Sequence, residues 1–338
     1  MGVNLGEVIP KKEIRIESLR GKKIAIDASQ TFYQFLSSIR QPDGTPLKDS
    51  NENITSHLMG ISTRIPNLIE KGLKVCFIFD GKPPALKIYE SEQRESRKKL
   101  AEKRLKKAKK AKDEGLMLRY SKQTSRLTRE MSNEAKELIG AYGIPVIQAP
   151  SEAEAQCSFM CEKGDVDYVG SSDYDSFIYN APRIVRNLTL SSRRRLPSGI
   201  YISVHPEVIE LKNVLKSLDI SQDQFIALSI LVGTDYNSGG VKGIGPKTAL
   251  KLVKQYNNFE DLFKEIKAEF DWKQIYAVFK SMPIMKNYQL KWNKVNQEKI
   301  LKILVDKHEF NQERVEKGIT RLLTTNTKQE QSSLDKWN

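Results

Sequence analysis

The sequence predicts an α/β fold with a mostly parallel central sheet flanked by helices, and three observations carry the prediction. Short apolar runs rich in β-branched residues recur along the chain as "KKIAIDA", "LKVCFIFDG", "IPVIQAP" and "VDYVGSSD". The runs are nearly continuous rather than alternating, as strands covered on both faces require. Helix-length segments separate them, which is the spacing of crossover connections between parallel strands.

Taken in order, the first run ends at Asp27 and is followed by "QTFYQFLSSIRQ", a helical pattern. The second ends at Asp80, and a long insertion then intervenes, "KPPALKIYESEQRESRKKLAEKRLKKAKKAKDEGLMLRYSKQTSRLTREM". Its Ala, Leu, Lys, Glu and Arg favour helix, but its first part has too few apolar residues for a core helix. Gly115 is expected to break it. The stretch "RKKLAEKRLKKAKKAK" is so one-signed that self-repulsion opposes folding unless a polyanion lies nearby. After the third run, Ser151 followed by Glu154 has the pattern of a capping box that would start a helix. "SSRRRLPSG" reads as a turn or β-hairpin with a further basic cluster, and from about Asp223 the pattern is mainly helical. The tail "TTNTKQEQSSLDKWN" is polar and is expected to be disordered when free. One domain over residues 1–324 and a flexible tail over residues 325–338 are the expected organisation.

A net charge of +14 in 338 residues, with a pI near 9.4, points to a polyanionic partner. No apolar run reaches the roughly 18 residues of a membrane span, and "MGVNLGEVIPKK" lacks the features of a secretory signal. Although the chain begins Met-Gly, the position where a myristoylation motif needs Ser or Thr is Gly6. An intracellular protein is expected. Cys76, Cys157 and Cys161 are too few for a disulfide framework or a zinc site, and Cys157 and Cys161 read as small buried hydrophobes on one helix face. His57, His205 and His308 are scattered and read as structural.

The acids are arranged differently. Asp27 and Asp80 close the first two runs, Glu152 and Glu154 follow the third, and Asp173 and Asp175 follow the fourth. In an open parallel sheet these ends share one edge, where ligand crevices form. One acid there is an ordinary loop residue, but successive strands that each deliver one or two build a mutually repelling cluster. Something cationic must neutralise it. Without convergent His or Cys, the fitting ions are Mg²⁺ or Mn²⁺. Asp235, in the Gly-rich "LVGTDYNSGG", is placed to reach the same cluster. So many carboxylates exceed the needs of one ion and suit a pair about 3.5–4 Å apart, clamping the attacking and leaving oxygens of phosphoryl transfer.

"IAIDAS", "FDGKPP", "APSEAEAQ", "SSDYDS", "GTDY" and "GIGPKTALKL" resemble, in order and spacing, the motifs of the flap endonucleases, structure-specific 5′ nucleases of DNA replication and repair. The similarity runs from Met1 to about Leu323 and is greatest to the archaeal branch. It implies hydrolysis of a phosphodiester at a branched DNA with a 5′ flap, with associated 5′-3′ exonuclease activity. Asp27, Asp80, Glu152, Glu154, Asp173, Asp175 and Asp235 would surround two Mg²⁺ ions, with Mn²⁺ able to substitute. Residues 82–130 would form a helical arch over the single-stranded flap, with Lys87 and Arg94 as basic catalytic partners. These two are seven positions apart and so share a helix face. Residues 225–262 would form a helix-two-turns-helix element in which Gly243, Gly245 and Lys247 grip duplex phosphates beside a K⁺ ion, as backbone N–H groups at a helix start can. Tyr33 would stack on a base and Arg40 would join the wedge that splits the junction.

The tail's Gln331, Leu334 and Trp337 resemble a sliding-clamp-binding peptide, with Asn338 where a second aromatic residue is usual. The resemblance further implies a monomer when free, in the cytoplasm of an archaeon or the nucleus of a eukaryote. Two other readings stay open: a 5′ exonuclease or bubble-cutting relative with the same acids, and a noncatalytic junction or clamp adaptor.

Overall fold

The structure, a computed structural model, describes residues 3, 5–41, 43–188, 193–195, 200–256 and 258–334, the side chains of Tyr89, residues 193–195, Tyr201 and residues 325–334 excepted. The strands are β1 (Lys12–Glu13), β2 (Lys23–Asp27), β3 (Lys74–Phe79), β4 (Val146–Gln148), β5 (Tyr168–Gly170), β6 (Arg183–Arg186), β7 (Arg193–Arg195), β8 (Tyr201–Ser203) and β9 (Glu207–Glu210). Each of the four apolar runs supplies one of the strands β2 to β5. The main sheet has the order β1-β9-β6-β5-β2-β3-β4. Pairing is parallel from β6 to β4 and antiparallel at β9 and β1. β7 and β8 form a separate antiparallel hairpin where "SSRRRLPSG" suggested one.

Helices α1 (Ala28–Ser38), α2 (Ser56–Glu70), α3 (Lys87–Lys110), α4 (Glu114–Gln123), α5 (Arg129–Ala141), α6 (Ala153–Glu162) and α7 (Asp175–Ile178) fill the first half of the chain. They are followed by α8 (Leu211–Leu218), α9 (Gln222–Val232), α10 (Pro246–Gln255), α11 (Phe259–Glu265), α12 (Trp272–Lys280), α13 (Gln297–Leu301) and α14 (Gln312–Leu334). Helices cover both faces of the sheet, which is why its central strands carry no polar face. On one face, Ala25, Cys76 and Ile78 pack with Cys157 and Met160 of α6 and Phe225 of α9. On the other, Ile24, Ile26, Phe77 and Phe79 pack with Phe32 of α1 and Leu138 of α5. Phe32 stacks on Phe77 with ring centroids 6.3 Å apart and meets Phe79 at 5.7 Å. Each such ring contributes about 1.5–3 kcal/mol by leaving water, so α1, which starts at Asp27, is held firmly to the sheet.

Cys157 and Cys161 are buried free thiols, as expected. His308 is buried too, with Nδ1 2.8 Å from Asp49 and Nε2 3.2 Å from Glu134.

The insertion forms a hairpin of α3 and α4. It breaks before Gly115: Lys112 takes a left-handed φ of 53° and Asp113 caps α4 by accepting from Leu116 N at 2.9 Å. Gly115 therefore lies inside the first turn of α4. Among the described side chains of α3, only Glu90, Ala101 and Ala108 are buried, the small pair permitting a close helix approach. Arg126 bridges Glu95 and Glu102, neutralising two of the acids of α3 and tying the helix to the segment after α4. At the other end of the chain, α14 runs to Leu334, so the backbone through Gln331 and Leu334 is helical where a flexible tail was expected. Trp337 lies outside the described residues.

Candidate active site

The parallel order β4-β3-β2-β5 places the C-terminal ends of four neighbouring strands along one edge. Asp27 ends β2 and caps α1, its Oδ1 accepting from Gln30 N at 2.9 Å. Asp80 directly follows β3 and is held by the start of α6, whose Ala153 N donates to Asp80 Oδ1 at 2.8 Å. The capping-box expectation is corrected here. Ser151 Oγ donates to Lys82 O instead, and Glu152 stands at the N-cap without a side-chain bond to the helix. An acid from the adjacent strand satisfies the helix end, which leaves both glutamates free for the cleft. Gly81 makes this crossing possible: a Cβ there would stand 2.2 Å from Ala149 O.

Asp173 and Asp175 follow β5, and Asp175 Oδ1 accepts from Val3 N at 2.7 Å. Asp235 is set by the loop after α9. There Thr234 N and Oγ1 both donate to Asn237 Oδ1, at 3.0 and 2.7 Å, and Gly233 turns with φ 113° against Gly240. The next residue, Tyr236, pairs its hydroxyl with that of Tyr179 at 2.9 Å. Asp27, Glu152 and Asp175 are buried, whereas Asp80 is exposed at the rim.

Basic side chains from the foot of α3 enter this cleft. Lys87 Nζ pairs with Glu152 and lies 3.4 Å from Asp235 Oδ2, while Arg94 pairs with Asp235 and with Glu90, the latter at 3.2 Å. Glu90 is a buried partner that sequence reading passed over, although its i,i+4 spacing to Arg94 was visible. Gln30 was passed over too. Its side chain meets Asp173, which is 143 positions away, and no local pattern could show that contact.

The electrostatics follow from burial and like charge. Burial first, and Asp80 next, hold the Asp27 carboxyl well above its ordinary range. Glu154 is likewise pushed up by burial and by the charges of Asp175, Asp27, Asp173 and Asp235, which identifies a shared cleft. Burial raises Glu152 despite Lys87. For Asp235 the balance reverses: burial favours the neutral acid, but the surrounding positive charge, that of Lys87 and Arg94 included, holds it below its usual value. Lys87 itself stays charged, because Glu152 and Asp235 outweigh the burial that would neutralise it.

Among the described residues no group of three acids closes around a metal position, since Lys87 and Arg94 stand among them. The donor set nevertheless fits hard divalent ions. It consists of carboxylate oxygens crowded until several favour protonation, which is a surplus of negative charge for which added cations compensate.

Asp175 offers a test of that surplus. Burial pushes its carboxyl up to about 7, the Val3 N–H working against it and Asp235 and Asp173 with it. An acid raised in the folded state loses its contribution to stability as pH climbs through the folded pKa. Metal-free protein is therefore expected to melt at falling temperature as pH rises from about 4 to about 7, and Asp175→Asn to flatten the decline. Scanning calorimetry in a chelator measures both slopes. Parallel slopes would show that Asp175 carries no such proton.

The other sequence-predicted residues are spread more widely. Tyr33, 39% exposed on α1, has Lys98 Nζ of the hairpin 5.3 Å from its ring centroid. Arg40 follows α1 and donates to Leu36 O and Gly44 O, both at 2.8 Å, and to Ser125 Oγ at 2.6 Å. As placed it ties α1 to the end of the hairpin, with these donors already engaged. Gly243 (φ 84°) and Gly245, the N-cap of α10, lie on an exposed turn between α9 and α10, and Lys247 is exposed in the first turn of α10.

An acidic cleft at the edge of a parallel sheet, faced by a cationic helical hairpin on a strongly basic protein, defines a nuclease. The XPG N-terminal domain family matches residues 1–101 and the XPG I-region family residues 143–235. The chain is 46% identical over 338 residues to flap endonuclease 1 of Pyrococcus abyssi, spanning 100% of this chain and 98% of that one. Flap endonuclease-1 from Methanococcus jannaschii superposes with a TM-score of 0.78 at 41% identity, covering 97% of this chain and 100% of that one. The catalytic core of Rad2 in complex with DNA substrate shares the fold, with a TM-score of 0.68 at 23% identity over 94% and 97%. The chain belongs to the flap endonuclease family and is a structure-specific 5′ flap endonuclease that hydrolyses phosphodiester bonds. Membership carries a general dependence on divalent metal. Among the described residues no helix is long and apolar enough to cross a membrane.

Proposed function

We propose that this intracellular enzyme cuts near the base of a 5′ flap using two Mg²⁺ ions, for which Mn²⁺ can substitute, held by Asp27, Asp80, Glu152, Glu154, Asp173, Asp175 and Asp235. The observation that carries the reading is the meeting of these acids with Lys87 and Arg94 at one sheet edge. When bound, the ions supply a water of lowered pKa and charge neutralisation at the attacking and leaving oxygens. The protein's own cations do the rest. Lys87 and Arg94 exchange carboxylate partners for the scissile phosphate and meet the negative charge that grows on it. Tyr33 offers a stacking face at the mouth of the cleft, which tolerates any base. Arg40 marks the junction side, and residues 82–130 arch over the single strand.

On the duplex side, the turn with Gly243, Gly245 and Lys247 meets phosphates at the start of α10, with K⁺ as its ion. These contacts are to the backbone and not to base edges, so activity depends on salt and little on sequence. The same cleft accepts a recessed 5′ end and supports 5′-3′ exonuclease activity. A labelled double-flap DNA, compared with a bubble and a nicked duplex with and without Mg²⁺, tests the reading. Preference for the bubble, or binding without cleavage, would overturn it in favour of a bubble nuclease or an adaptor.

The free enzyme acts as a monomer, and a ring-shaped sliding clamp recruits it through Gln331, Leu334 and Trp337. Aromatic anchors of this kind usually carry most of a small interface, and one aromatic residue instead of two points to moderate affinity. The double variant Leu334→Ala, Trp337→Ala is expected to lose stimulation by the clamp while cleavage by the isolated enzyme stays unchanged. Calorimetry against the cognate clamp decides it, since equal affinity for variant and wild type would put the contact elsewhere.

A further inference from the structure

We propose that Gln30 is a positioning residue for the nuclease reaction, fixing the direction of the Asp173 carboxylate and linking it to Asp27. This rests on the reading that Asp27 and Asp173 hold metal. Gln30 is the third residue of α1, the place from which a Glu or Gln commonly folds back onto its own helix cap. Here it turns the other way. Its Nε2 donates to Asp173 Oδ2 at 2.9 Å, while its Oε1 accepts from Ser172 N at 2.6 Å and from Ser171 Oγ at 3.2 Å. The backbone N–H of the same residue donates to Asp27 Oδ1 at 2.9 Å.

The contacts fix the amide's orientation. Ser172 N–H can only donate and an ionised Asp173 can only accept, so the oxygen must face the first and the NH₂ the second. Few side chains satisfy both: a carboxylate would repel Asp173, and an aliphatic chain would leave the Ser172 N–H without that partner. With Oδ2 engaged by the amide, Oδ1 is the oxygen left for an ion. Gln30 thus joins through one residue the acid that ends β2 and an acid of the loop after the adjacent strand β5. Groups that orient metal ligands in this way are worth about 10–100-fold in metal affinity or activity.

The experiment is a titration of free enzyme with Mn²⁺, followed by electron paramagnetic resonance, on wild type, Gln30→Met, Gln30→Ala and Asp173→Asn. Single-turnover cleavage is measured alongside as a function of Mg²⁺. Gln30→Met keeps the length of the side chain and removes only its hydrogen bonds. It is expected to weaken Mn²⁺ binding about tenfold or more and to raise half-saturating Mg²⁺ by a similar factor. Saturating Mg²⁺ should recover most of the rate, and flap affinity without metal should not change. Gln30→Ala should behave alike, which keeps the test sound if one variant folds poorly. Lower melting temperature with unchanged metal dependence would mean a structural role only and would overturn the proposal. Should Asp173→Asn weaken Mn²⁺ binding while both Gln30 variants match wild type, Gln30 alone is excluded. Wild-type Mn²⁺ affinity in Asp173→Asn would instead remove the ligand assignment beneath it.

Discussion

Asp173→Ala is expected to leave flap binding intact while cleavage falls by roughly three orders of magnitude or more. The two effects separate because the surfaces proposed to meet DNA are basic and lie on the hairpin and the α9–α10 turn, whereas Asp173 sits in the cleft after β5. Removing one acid lowers the negative charge of a crowded cluster, so the folded protein should not suffer. Stability is expected to hold or rise slightly, because relief of like-charge repulsion offsets the lost bond to Gln30. Equilibrium binding in Ca²⁺ and single-turnover cleavage in Mg²⁺ measure the two arms. Turnover near wild type would end the two-ion assignment.

The second large effect is expected at the foot of the hairpin. Lys87→Ala and Arg94→Ala should each slow single-turnover cleavage about 10²- to 10³-fold, with substrate affinity changed far less. Both side chains are already poised in the cleft: Lys87 on Glu152 and Asp235, Arg94 on Asp235 and Glu90. The role proposed for them is to meet charge that appears only as the bond breaks. A saturating rate equal to wild type together with weak binding would make them ordinary phosphate anchors. The variants also differ in a way that binding alone cannot explain. Losing Lys87 leaves buried Glu152 without its ammonium partner, so its proton should be harder to remove and the rate should shift further toward high pH.

The sheet and the acids were legible because each follows from a strong local rule. Strands β2 to β5 announce themselves as apolar runs since they are buried on both faces, and an acid closing such a run needs no tertiary knowledge to notice. β6, β9 and β1 were not legible. "RIVR", "EVIE" and "KE" are short and charged, and only pairing fixes them as strands. The break in the hairpin was misread for a related reason. Glycine is the usual signal, but Lys112 accepts a left-handed turn and Asp113 supplies the cap. Gln30, Tyr179 and the capping of α6 by Asp80 stayed hidden because they are contacts between remote parts of the chain. The motifs carried Lys87 and Arg94 only through likeness to a family. By propensity alone both are surface residues of a charged helix.

The seating of Asp27, Asp80 and the acids after β4 and β5 on four hydrogen-bonded neighbours makes the sheet a gauge. Parallel strands stand about 4.8 Å apart, so the mouth of the cleft spans roughly 14 Å whatever side chains clothe it. That interval belongs to the main chain, and no substitution in the surrounding helices can stretch it. Drift in the covering layers can therefore alter stability and the grip on DNA while the span of the acidic edge is inherited unchanged.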